Sequence, residues 1–306
     1  MDTSNKIYEI DINKFFSLAY EKRFFYLSLV SITSIIFLIY SFFLPVLYES
    51  ETKVDVLDRN NSLNISSLAN QFSLISSISG FNIPSISSED KSALVIETIK
   101  SRDFLKILVE DEQILANLVA ISNYDKKRSK IIYQNNIYDN KRKVWNYLGS
   151  EENPFDKYFL SAYNRYLSRL NISTDINSGF VDITFKHESP IFASSFLNLI
   201  ISKTNEVLKE KDLLESESAL TYLKDEFRNV RSSEVKDSMS QLMTSQLKTQ
   251  MFANVSDAYA LRKIDSPFIP LAKSEPNRIY YFAFGMIIGI FISILIILIR
   301  LLKNPT

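Results

Sequence analysis

The chain has 306 residues, with 35 basic and 35 acidic side chains, one histidine and no cysteine, so its formal net charge is zero. The lack of cysteine excludes disulfides and thiol nucleophiles, and a single histidine excludes a histidine-rich metal site or a Cys–His pair.

Residues 1–23 read as a cytoplasmic N-terminal segment in which Ile10-Asp11-Ile12 and Phe15-Phe16 form an amphipathic lead-in at the membrane face. Phe24 to Tyr48 then runs without a charge, with Pro45 close to its end. That length spans a bilayer as one helix, and Phe42 to Val46 offers no small-residue cleavage site for a signal peptide. Lys6, Lys14, Lys22 and Arg23 precede this run, against Lys53 and Arg59 after it. The positive-inside bias therefore places the N-terminus in the cytoplasm.

Residues 49–278 follow as an outer domain that carries about two more acidic than basic side chains, which disfavours a general nucleic-acid binder. Lys53-Val54-Asp55-Val56 alternates as a half-buried strand beginning near Tyr48. Leu68, Phe72, Ile75 and Ile78 are spaced as a helix that Gly80 ends. From a start at Ser87 to Asp90, Leu94, Val95, Ile99, Leu105, Leu108, Leu115 and Leu118 continue a helical period to about residue 121. Residues 122–160, with Trp145 and Gly149, predict shorter helices and loops.

Leu170 to Asp175 and Phe180 to Lys186 form the clearest strand pair, joined through Asn177-Ser178-Gly179. Ser189 is a good N-cap and Pro190 suits the first helical position, where its missing N–H is not needed. Residues 190–262 then keep a helical period with neither Gly nor Pro after Pro190. One straight helix of that length would reach roughly 108 Å, yet the chain must return to the membrane for its second span. A turn is expected at Asn229 to Ser233, giving a long helical hairpin above a membrane-proximal α/β base.

Residues 263–278 are proline-rich, with Pro267, Pro270 and Pro276, and residues 279–299 form a second uncharged run of 21 residues. Gly285, Gly289 and Ser293 recur on one face of it, a spacing that lets membrane helices approach closely. Lys273 and Arg278 before this run balance Arg300 and Lys303 after it, so the first helix decides the orientation. Residues 300–306 are then a cytoplasmic tail. The fold expected is α+β, two membrane helices flanking a periplasmic domain.

No phosphate-binding loop is present, and no cofactor is expected. His187 ends a strand just before a helix cap, a structural position. Asp111-Glu112 and Glu151-Glu152 read as solvated surface. Lys126-Lys127-Arg128 and Lys141-Arg142-Lys143 suit an anionic glycan or a lipid phosphate, but as charge runs they are read as solvated faces.

This plan resembles the Wzz-type chain-length determinants, or polysaccharide co-polymerases. The likeness lies in Ile10-Asp11-Ile12, the first strand, Lys100-Ser101-Arg102-Asp103-Phe104, and Phe180 to Ala193. It continues in Pro267, Pro270 and Pro276, which match the family's proline motif. Its Ser-Pro-Lys is Glu275-Pro276-Asn277 here, and the glycine pair sits a turn early, leaving Gly289 and Ser293 at the expected places.

The resemblance implies a non-enzymatic regulator of the bacterial inner membrane, assembled as homo-oligomeric rings. Such a protein sets the length of an O-antigen, capsule or exopolysaccharide that a partner polymerase builds on a lipid-linked polysaccharide. Pro267, Pro270, Pro276, Gly285, Gly289 and Ser293 would serve membrane coupling and helix packing. Seven residues after Ile299 leave no room for the cytoplasmic kinase domain of some relatives, nor for the output domain of a sensor. An exporter-type co-polymerase working with an ABC transporter, and a structural membrane scaffold, are the alternatives.

Overall fold

A computed structural model of the chain describes residues 20–57, 88–146, 153–175, 177–256 and 258–303. The lead-in Ile10-Asp11-Ile12, the helix expected around Leu68 to Gly80, Gly149 and Glu151-Glu152 lie outside the described residues. The chain divides into a helix-pair unit, residues 1–47 with 273–306, and a domain, residues 48–272.

The helix pair consists of α1 (Arg23–Phe43) and α8 (Arg278–Lys303), both long and apolar enough to cross a membrane. Helix α1 ends at Phe43 rather than continuing to Tyr48. Leu44 precedes Pro45 and takes the extended backbone that this position favours, with ψ 145°. At the ends of the two helices Leu47 and Glu275 form an antiparallel bridge, Leu47 N–H donating to Glu275 O at 3.1 Å.

In the domain, β1 (Tyr48–Val56), β6 (Leu170–Thr174), β7 (Val181–His187) and β8 (Leu261–Asp265) form one antiparallel sheet in the order β6-β7-β1-β8. Thr52 faces Ile183, and Lys53 faces Asp182 with an ion pair of 2.7 Å. The turn between β6 and β7 needs Gly179, whose φ of +73° suits a residue without a Cβ. Strict alternation buries Val181, Ile183, Phe185 and His187. Phe185 meets Phe196 of α6 (Pro190–Phe227) at 4.8 Å, and Phe196 stacks on Phe192 at 5.1 Å.

As expected, Ser189 caps α6, its hydroxyl accepting from Phe192 N–H, with Pro190 in the first turn. Helix α6 has 38 residues, about 57 Å of rise, and breaks at residues 228–232 before α7 (Ser233–Val255). The return is visible where Tyr259 donates to Asp212 at 2.7 Å and where Asn205 Oδ1 accepts both Ala260 and Leu261 N–H. The helical region ends at Val255, earlier than the 262 expected. Leu261 instead begins β8, because β1 offers it an edge to pair with.

The remaining helices and small hairpins correct two further expectations. The period from residue 88 to 121 is three helices, α2 (Ser88–Lys100), α3 (Arg102–Leu108) and α4 (Glu112–Val119). Ser101 and Asp111 break it as N-caps, accepting from Phe104 and Gln113 N–H. Residues 121–145 are not short helices but two hairpins, β2 (Ile121–Asp125) with β3 (Lys130–Tyr133) and β4 (Tyr138–Asp139) with β5 (Val144–Trp145). Aromatic rings hold them: Tyr133 on Tyr138, Tyr138 on Trp145, and Trp145 stacked at 5.1 Å on Tyr158 of α5 (Pro154–Arg169).

Candidate functional site

The buried positions on α8 are Gly285, Gly289, Ser293 and Ile297, one ridge of residues four apart. A Cβ on Gly285 would stand 2.8 Å from Ser34 Cα and 3.0 Å from Thr33 O. On Gly289 it would stand 2.7 Å from Val30 Cα and also collide with Thr33 Oγ1. The two backbones are thus close enough that only glycine fits at both places. Lipid gives no hydrophobic drive for helix association, so this close van der Waals packing is what holds such a pair.

Two hydroxyls in the seam bond within their own helices. Ser293 Oγ donates to Gly289 O at 2.8 Å, and Thr33 Oγ1 to Val30 O at 2.9 Å. Rings flank the seam, Phe37 edge-on to Phe284 at 5.5 Å. Arg278 lies 4.0 Å over the Phe42 ring and Arg300 lies 5.9 Å from that of Phe25. Each arginine thereby gains a cation–π partner at one end of the pair.

The prolines fall into two groups. Pro276, buried, belongs to the helix pair beside the Leu47–Glu275 bridge, and its peptide bond to Glu275 is cis. Pro267 and Pro270 belong to the domain. Neither can donate an N–H, so the chain after β8 cannot continue a backbone ladder through them. Side-chain hydroxyls replace it. Thr52 Oγ1 donates to Asp265 O at 2.6 Å, Ser50 Oγ to Phe268 O at 2.8 Å, and Ser194 Oγ of α6 to Pro267 O at 3.1 Å. Ser50 and Thr52 are fully buried, so these bonds strap the proline segment along β1.

Sequence reasoning named the glycines but missed Val30, Thr33 and Ser34 opposite them, and Ser50, Thr52 and Ser194. The signal for the first group is small residues inside the first apolar run. For the second it is hydroxyls at the inward positions of a strand.

His187 is a packing residue. Its Nδ1 accepts Ser189 N–H at 3.0 Å, so Nε2 carries the proton and donates to Asn117 O at 3.0 Å. Burial lowers its pKa to about 4. Beside it Arg169 grips Glu188 with both terminal nitrogens, at 2.5 and 2.6 Å, a buried bidentate pair. The Glu188 carboxyl is held below its ordinary value because the guanidinium outweighs the effect of its own burial.

Residues 8–112 match the family model of the chain length determinant protein, Wzz. The Wzz match takes in α1, β1, α2 and α3 and ends at the first residue of α4. Among solved structures, the chain is similar to a full-length bacterial polysaccharide co-polymerase, at 10% identity and a TM-score of 0.36, over 95% of this chain and 97% of that one. It is also similar to a fragment of WzzB, the polysaccharide co-polymerase from Salmonella Typhimurium. That likeness has 11% identity and a TM-score of 0.30, over 75% of this chain and 100% of the fragment. A comparison with curated proteins finds no match.

Proposed function

We propose that this protein is a non-enzymatic regulator of polysaccharide chain length in the bacterial inner membrane. It acts as a homo-oligomer beside a polymerase that extends a lipid-linked glycan. Both termini are cytoplasmic, and the domain lies on the far side of the membrane. The observation that most supports this reading is the Wzz match, which runs from the first spanning helix through β1 to α3.

The geometry supports a physical role for the candidate residues. The proline segment is strapped to the domain by Ser50, Thr52 and Ser194, and the chain passes directly from it into α8. Gly285 and Gly289 bring α8 against α1. A change in the domain's packing is therefore carried to the spanning helices through a short, proline-stiffened connection, and the polymerase reads the result.

The test is the size distribution of surface polysaccharide on a gel from cells with and without the gene. A modal cluster that decays to a smooth ladder on deletion is the result expected. An unchanged ladder would overturn the reading in favour of a scaffold, and loss of all surface polymer would overturn it in favour of an exporter.

A further inference from the structure

Two exposed turns in the domain repeat one another. Asp125 opens the β2–β3 turn and accepts the amides of Lys127 and Arg128 at 2.9 and 3.2 Å. Asp139 opens the β4–β5 turn and accepts those of Lys141 and Arg142 at 2.9 and 3.3 Å. The next residue in each has left-handed backbone, φ 51° at Ser129 and φ 53° at Lys143. Each aspartate is thus engaged by its own turn. The arginine Nε atoms lie 3.9 and 3.8 Å from the carboxylates with side chains 81% and 83% exposed, geometry too loose to neutralise them. Lys126, Lys127, Lys130, Lys141 and Lys143 are exposed as well.

The two turns differ in what they touch. Tyr124, at the root of the first, meets Tyr48 edge-on at 6.4 Å, and Lys126 Nζ donates to Leu271 O at 3.4 Å. Tyr48 comes five residues after α1 ends at Phe43, and Leu271 seven before α8 begins at Arg278. Even fully extended, those connections span at most about 18 and 25 Å. The first turn is therefore fastened to two domain residues that are only a short stretch of chain from the spanning helices. The second is rooted elsewhere, with Trp145 on Tyr158 of α5. Tyr138 at its base is shifted up by burial and then by the negative charges of Glu112 and Asp111, so acids share its surroundings.

We propose that the Asp125 to Lys130 turn is a lipid-contact site, in which Lys126, Lys127, Arg128 and Lys130 take the phosphates of anionic phospholipid headgroups. Cations near an anionic membrane surface are attracted to it, with a reach of about a Debye length, roughly 8 Å at physiological salt. A cationic turn fastened no more than about 18 and 25 Å of chain from the two spanning helices can reach that surface, and its acidic residue is already occupied. The inference rests on α1 and α8 crossing the membrane and is independent of any effect on polysaccharide length.

Because the chain has no cysteine, single reporters are available. The full chain carrying Ser129→Cys, or Asn140→Cys in the second turn, is labelled with a fluorophore. It is then placed in nanodiscs of phosphatidylglycerol or phosphatidylcholine that contain a headgroup-quencher lipid. Recovery of the chain in the discs checks the spans separately. Quenching at position 129 is expected to be about twofold stronger in the anionic discs, and to fall at about 0.5 M salt. It should also fall on K126E/K127E/R128E, whereas position 140 should not respond to lipid charge. Equal quenching at position 129 in both lipids, or an equal rise at position 140, would overturn the proposal. The salt titration needs no charge-reversed variant, so a folding defect in that variant leaves the test intact.

Discussion

Gly289 lies so close to Val30 that a Cβ on the glycine would stand 2.7 Å from the valine Cα. The obstacle is backbone, which cannot rotate away as a side-chain tip can. Gly285 has the same relationship to Ser34 Cα, at 2.8 Å. The spacing of the glycines on α8 is thus matched by a run of small or branched residues on α1, and the seam closes along both.

Gly289→Ala should separate the helices at a cost of about 1–3 kcal/mol, the usual range for overpacking. Thr33→Ala in the same chain should restore only part of this, because it removes the hydroxyl but leaves Val30 Cα in place. Thermal unfolding of the full chain in nanodiscs, with slow amide exchange in β7 as a sign that the domain persists, measures both. Full rescue by Thr33→Ala would show that the backbone contact is not limiting.

Stability should depend on pH through His187. Burial lowers its pKa to about 4, below the ordinary 6.5, so between these values the unfolded chain binds the proton and the folded one does not. Stability therefore rises with pH across that window. It should be lost as pH falls from about 6.5 toward 4, by up to about 3 kcal/mol. His187→Gln should flatten the dependence above pH 5 in denaturant titrations of the full chain. Glu188, with its pKa lowered, adds a loss in the same direction only below its ordinary 4.5.

The Arg169–Glu188 pair should behave asymmetrically. Its side chains are only 11% and 7% exposed. Glu188→Gln or Arg169→Met alone should cost about 3–5 kcal/mol by stranding a buried charge, while the double apolar replacement R169M/E188L should cost far less. Unfolding midpoints of the three variants form the check, and equal losses in all of them would argue that the pair stabilises by itself.

Thr52→Val and Ser50→Ala should each remove about 1 kcal/mol, and they should do so locally. Asp265 O and Phe268 O lose their donors, so amide exchange should quicken from Leu261 through Leu271 while β6 and β7 keep their protection. If the strap carries the domain's state to α8, the same variants should shift the modal polysaccharide length in cells.

Much of the local structure was legible in the sequence because its causes are local. The charge-free lengths of α1 and α8, the alternation of β7 and the Ser189-Pro190 start of α6 all depend on neighbours within a few residues. The three-helix division of residues 88–119 was also written there, in Ser101 and Asp111, but an unbroken apolar period hid it. The edge of the sheet depends on partners far along the chain. Leu261 becomes strand because β1 lies open beside it. The prolines are strapped because Ser50 and Thr52, 218 and 213 residues away from their acceptors, point their hydroxyls at Phe268 and Asp265. The glycine spacing on α8 predicted a close approach, but only tertiary packing showed that Val30, Thr33 and Ser34 make it. Periodicity tells which face of an element is apolar or small; which two faces meet is decided by how the whole chain fills space.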